Sequence, residues 1–156
     1  MSKRILVVDD EPGIVEIVRV NLEAEGYQVT VARDGAEGLE AIQAQSPDLV
    51  ILDVMMPRMS GWEVLRHVET DLRTAGLPVI MLTVKAGDMD VVRGLEQGAV
   101  EYITKPFDPM NLVEGVRFVL EQTDVRGRAA HRRQLMERRR RFAKPLHDLF
   151  GEGESK

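Results

Sequence analysis

Five short apolar runs rich in β-branched residues recur along this chain, and each is followed by a longer stretch with helical period. They are RILVVD (4–9), YQVTVA (27–32), DLVILD (48–53), PVIMLT (78–83) and EYIT (101–104). Nearly continuous apolar runs belong to strands covered on both faces, and strands alternating with helices build βαβ units around a parallel sheet. The spacing predicts helices over 12–25, 35–45, 61–75, 88–98 and 108–122. Pro12 suits a first helical turn, and Gly26 and Gly76 suit helix stops. The expected fold is therefore α/β, with helices on both sides of one parallel sheet.

An open parallel sheet places its ligand crevice beyond the carboxyl ends of its strands. Here those ends are polar. Asp9 and Asp10 close the first run, Asp53 the third and Thr83 the fourth, and Lys105 follows the fifth. Taken singly, each has an ordinary explanation: a strand-end Asp caps a helix or a turn, a Lys is solvated, and a Thr suits a strand. None of these explains why five such residues from separate segments meet at one edge. Crowded carboxylates resist ionisation unless a cation neutralises them, and an oxygen-rich site of this size suits Mg²⁺. A lysine and a hydroxyl then serve as donors to an anion opposite the metal. An aspartate can attack a phosphoryl group to give an acyl phosphate, so the set points to phosphoryl transfer onto a carboxylate.

Composition removes several classes. The chain is 44% hydrophobic, enough for one sizeable core in 156 residues. Its longest apolar stretch, LVILDVMM, contains Asp53 and falls well short of the ~20 residues that span a bilayer. No secretory leader pattern opens the chain, so a soluble, cytoplasmic protein with no membrane partner is expected. With no cysteine there is no disulfide, thiolate nucleophile or Cys-ligated zinc. The net charge of −5 conceals an asymmetry: residues 1–125 sum to −11, residues 126–144 to +8, and the last twelve to −2.

The segments ILVVDDEP, DLVILDVMMPRMSG, PVIMLT and GAVEYITKPF, in this order and spacing, resemble the receiver domain of two-component response regulators across about residues 3–122. The resemblance implies a flavodoxin-like (βα)5 doubly wound sheet, with Asp53 as phosphoacceptor. It implies Mg²⁺ held by Asp10, Asp53 and the backbone carbonyl of Met55, with Asp9 assisting through water. It further implies that Lys105 pairs with the phosphoryl group, that Thr83 bonds it once formed, and that Tyr102 is an aromatic switch turning inward with Thr83. The partner expected from it is a sensor histidine kinase or a phosphotransfer protein, with an unknown downstream protein beyond. Pro57 and Gly61 shape the loop after Asp53, one by fixing φ and the other by permitting positive φ. The Lys105–Pro106 bond is expected to be cis, aiming the lysine inward. One departure is Val84, where the family usually carries a very small residue; it bears on access to Asp53 and on phosphoryl lifetime.

Three other classes share fragments of the pattern. A haloacid-dehalogenase-like phosphatase wants a second acid where Met55 stands, and a flavodoxin-type flavin binder wants a Gly/Ser/Thr-rich loop where DDEPG stands. A nucleic-acid binder is suggested only by the basic tail.

The expected organisation is a receiver over 1–124 and a basic, helical extension over 125–156, with no separate output domain, since some 30 residues are too few to form one. Leu135, Phe142, Leu146 and Leu149 lie near helical spacing, interrupted at Pro145. In decreasing order of expectation the extension is a solvated or self-packing helix, a protein-binding or dimerising helix, or a nucleic-acid contact. Leu135 and Phe142 are the expected anchors. A homodimer is a candidate assembly, and nucleic acid is not expected as a partner. Function is read as a phosphorylation-dependent switch, a regulatory phosphoacceptor that can catalyse its own phosphotransfer and dephosphorylation.

Overall fold

The computed structural model describes residues 2–84, 98–99 and 101–121. Among these, strands β1 (Arg4–Val8), β2 (Gln28–Ala32), β3 (Leu49–Asp53), β4 (Val79–Thr83) and β5 (Glu101–Thr104) form one sheet, and four helices follow or separate them: α1 (Pro12–Ala24), α2 (Gly35–Gln45), α3 (Gly61–Thr70) and α4 (Pro109–Glu121). Every pairing is parallel and the strand order is β2-β1-β3-β4-β5, the flavodoxin-like arrangement. The chain steps from β1 to β2 on one side and returns to β3 on the other. The crevice between β1 and β3 is therefore the topological switch point, and Asp9, Asp10 and Asp53 stand there.

Alternation along each strand divides the core into two halves. Leu6, Val8, Val50, Leu52 and Met81 face one way and pack with Ile42 of α2 and Val64, Leu65 and Val68 of α3. Ile5, Val7, Ile51, Ile80 and Leu82 face the other way and pack with Val18 and Leu22 of α1 and with Leu112, Val113, Val116 and Val119 of α4. Each fully buried Leu, Ile or Val contributes roughly 1.5–3 kcal/mol. The residues flanking the site thus rest on a floor that is closed on both faces.

Helix starts follow local chemistry. Pro12 opens α1, the Asp34 carboxylate accepts from the Glu37 amide at the start of α2, and Ser60 and Glu63 form a reciprocal capping box on α3. Gly26, with φ of 97°, follows the end of α1, as expected of a helix stop.

The structure corrects several boundaries. Asp9, Tyr27, Asp48 and Pro78 fall just outside their strands; Asp48 instead turns its carboxylate to accept from the Arg4 amide at 2.7 Å. Helix α3 ends at Thr70, five residues short of the expected end at residue 75. Side chains compete for its last turns: Thr70 Oγ1 donates to the Arg66 carbonyl, Asp71 accepts from the Arg73 amide, and Thr74 Oγ1 donates to the Val68 carbonyl. The helix expected over 88–98 and the extension over 125–156, with Leu135 and Phe142, lie outside the described residues.

Candidate functional site

Asp9, Asp10, Asp53 and Lys105 come together at the carboxyl edge of the sheet. One carboxylate oxygen from each of the three aspartates lies within 4.8 Å of the other two. Asp9 and Asp53 are buried, Asp10 is exposed at the rim, and the Lys105 side chain is only 6% exposed. Lys105 directly follows β5 and is joined to Pro106 by a cis peptide bond, and its ammonium stands 2.9 Å from Asp9 Oδ2 and 3.6 Å from Asp53 Oδ2.

Backbone amides hold the carboxylates. Asp9 Oδ1 accepts from the Glu11 amide at 2.9 Å, and Asp53 Oδ1 accepts more weakly from the Met55 amide at 3.4 Å. Asp9 Oδ2 has no aligned hydrogen-bond partner, so its contact with Lys105 is an ion pair only.

Charge in the cluster is unbalanced. Burial pushes Asp53 up to about 6, with the neighbouring Asp9 charge adding to the rise and Lys105 opposing it. Burial also raises Asp9, against the pull of the Glu11 amide and Lys105. Lys105 is itself disfavoured by burial, but the hydrogen bond to Glu11 and the charge of Asp9 beside it outweigh that and leave its pKa above the ordinary value. Asp9, Asp53 and the Glu11 carboxylate share one ammonium, with Asp10 at the rim. A buried carboxylate oxygen without a hydrogen bond, in an all-oxygen acidic set, fits a hard divalent cation.

Other expected site residues are less fully placed. Thr83 ends β4 opposite Thr104 of β5, at the same sheet edge; its side chain is not among the described atoms. Tyr102 lies buried in the apolar cluster that packs on α2 and α3. The Met55 side chain is exposed and its amide faces Asp53. Val84 is 61% exposed.

The loop after Asp53 differs in its mechanics from expectation. Gly61 does not use positive φ; the residue that does is Arg58, at 70°. Gly61 is required by close approach, because a Cβ there would lie 2.2 Å from the Asp53 carbonyl oxygen and 2.8 Å from Val54 Cα. Its amide donates to the Val54 carbonyl at 2.8 Å, pulling α3 against the loop. Arg58 pairs with Asp34 at 2.6 Å, tying the loop to the start of α2. Gly61→Ala is therefore expected to destabilise the protein by about 2–3 kcal/mol, because only backbone can move aside. Urea unfolding measures this, and an unchanged midpoint would contradict the close approach.

Glu11 is the residue that sequence reasoning passed over. Its carboxylate makes the shortest contact to the Lys105 ammonium, across 94 residues of chain. The available signal was the third acid of DDEP, placed directly before the first helical turn.

The response regulator receiver domain model matches residues 5–117. The DNA-binding response regulator MtrA of Mycolicibacterium smegmatis is 44% identical over 124 residues, covering 80% of this chain and 53% of its own. The alkaline phosphatase synthesis transcriptional regulatory protein PhoP of Bacillus subtilis is 42% identical over 125 residues, covering 80% and 51%. The chain thus spans about half the length of these curated relatives. Among solved structures, a CheY-like response regulator receiver domain protein from Methanospirillum hungatei JF-1 superposes with a TM-score of 0.73 at 35% identity, covering 78% of this chain and 96% of that one.

Proposed function

Because the chain belongs to the response regulator receiver domain family, we propose that it is a phosphorylation-dependent signalling switch whose phosphoacceptor is Asp53. The convergence of three aspartate carboxylates and one buried ammonium at the switch point of the sheet carries this reading. The donor is a phosphohistidine on a sensor histidine kinase or phosphotransfer protein. An Asp53 oxygen bonds to phosphorus as the P–N bond breaks, and the imidazole nitrogen keeps the electron pair. Lys105 offsets charge on the transferred group, and the Thr83 hydroxyl bonds it once formed. Tyr102 then follows Thr83 and carries the change to a downstream protein or a second copy of the chain. Asp10, Asp53 and the Met55 carbonyl, with Asp9 beside them, would hold Mg²⁺, which when bound would neutralise charge on the phosphoryl oxygens.

The receiver unit is assigned to 1–124 and the basic segment to 125–156. No helix among the described residues is long and apolar enough to cross a membrane, and the proposed setting is the cytoplasm. In the curated relatives, named as DNA-binding or transcriptional regulators, the matched stretch is about half of the whole chain. The proposal therefore concerns the receiver and extends to no output activity.

The direct test is incubation with acetyl phosphate and Mg²⁺, followed by mass spectrometry. A single phosphoryl adduct, removable by hydroxylamine and mapped to Asp53, is expected; an adduct elsewhere, or none, overturns the assignment. Asp10→Asn removes a ligand charge while sparing the acceptor, so Mg²⁺ affinity should fall by roughly tenfold or more in calorimetry, about 1.4 kcal/mol per decade. Unchanged affinity would remove Asp10 from the metal site.

A further inference from the structure

We infer that Glu11 is a positioning residue that parks the Lys105 ammonium away from Asp53, so that the lysine must be released before it can serve a phosphoryl group there. The inference rests on Asp53 being the phosphoacceptor. Glu11 stands at the N-cap of α1, yet its side chain makes no capping bond. The carboxylate instead reaches the ammonium, which it contacts more closely than Asp9 does at 2.9 Å or Asp53 at 3.6 Å. The acceptor is thus the loosest of the three partners. Asp9 cannot give way, being fully buried and held by the Glu11 amide. The Glu11 side chain is 58% exposed and is the partner free to let go into solvent.

A contact made only in the resting arrangement stabilises the ground state and raises the barrier to transfer. Releasing the lysine should therefore speed labelling, but loss of a negative charge near an incoming anionic phosphodonor would also speed it, simply by relieving repulsion. Two variants separate these effects. Glu11→Gln removes the charge, while Glu11→Asp keeps it on a side chain one methylene too short to hold the ammonium.

Initial rates of labelling by acetyl phosphate at saturating Mg²⁺ are measured for the full chain and both variants, at low and high salt. Positioning predicts that both variants label roughly two- to fivefold faster than the wild type, the scale of one half-exposed ion pair, with the gain of Glu11→Asp persisting at high salt. A Glu11→Asp rate equal to wild type beside a faster Glu11→Gln would reduce Glu11 to a source of repulsion and overturn the inference. Equal rates in all three proteins would overturn it as well. Failure of the wild type itself to label at Asp53 would instead sink the underlying function.

Discussion

Asp53→Asn should accept no phosphoryl group from acetyl phosphate or from a phosphohistidine donor, while its fold stays intact. Asn keeps the shape of the side chain and can still accept from the Met55 amide through its carbonyl oxygen, so the β3 end and the loop to α3 have no cause to rearrange. The amide oxygen is a poor nucleophile and the nitrogen carries no free electron pair for phosphorus, so the step loses its attacking group. Neither Asp9 nor Asp10 can substitute. Asp9 is sealed in the floor of the site with one oxygen on the Glu11 amide, and Asp10 lies at the exposed rim. The expected result is loss of labelling to background in an assay that reads the wild type within minutes. Labelling retained at another site would mean that the crevice is not where acceptance happens.

The same substitution should make the metal-free protein more stable at neutral pH. Burial raises Asp53 in the folded protein to about 6, against 3.8 for the ordinary carboxyl. A carboxyl whose folded pKa is raised stabilises the fold fully below the unfolded value and loses that contribution as pH climbs through the folded value. From pH 4 to 7 the wild type should therefore lose up to roughly 3 kcal/mol on account of Asp53, the scale set by about 1.4 kcal/mol per pKa unit. Asn carries no charge to bury. With EDTA present, the variant should match the wild type near pH 4 and exceed it by about 1–3 kcal/mol at pH 7.5. Added Mg²⁺ should close much of the gap by stabilising only the wild-type carboxylate cluster. Urea denaturation at the two pH values, with chelator and with Mg²⁺, provides the measurement. A variant less stable than the wild type at pH 7.5 in EDTA would show that the cluster is not under charge strain.

What could be foreseen depended on how local the cause was. The five strands were legible because each is a nearly unbroken apolar run, and the acids were legible because they interrupt such runs where a parallel sheet opens to solvent. Boundaries failed where side chains compete with backbone, as Thr70 and Asp71 do when they end α3 early. Gly61 was singled out correctly for the wrong reason. Its need arises from the carbonyl of Asp53 lying against it, a contact that exists only once α3 has packed. Glu11 looked like one more acid beside Asp9 and Asp10, since its partner is fixed by the position of β5 and nothing near Glu11 in the chain announces it.

The strand order has a consequence for how this molecule comes into being. β1 and β5 lie at opposite ends of the described chain and are separated in the sheet by β3 and β4. The contact between Asp9 and Lys105 can close only after the intervening parallel pairings are in register. Parallel pairings of this kind are non-local and form slowly, because loop closure must precede their reward. During synthesis, Asp53 emerges with both other aspartates already present, yet without the lysine that follows β5. A nascent chain that stops short of β5 therefore holds Asp9 and Asp53 without their shared cation, and the Asp9–Lys105 pair arrives with the last strand. The buried ion pair is in this sense a seal on finished folding, absent from every partial product.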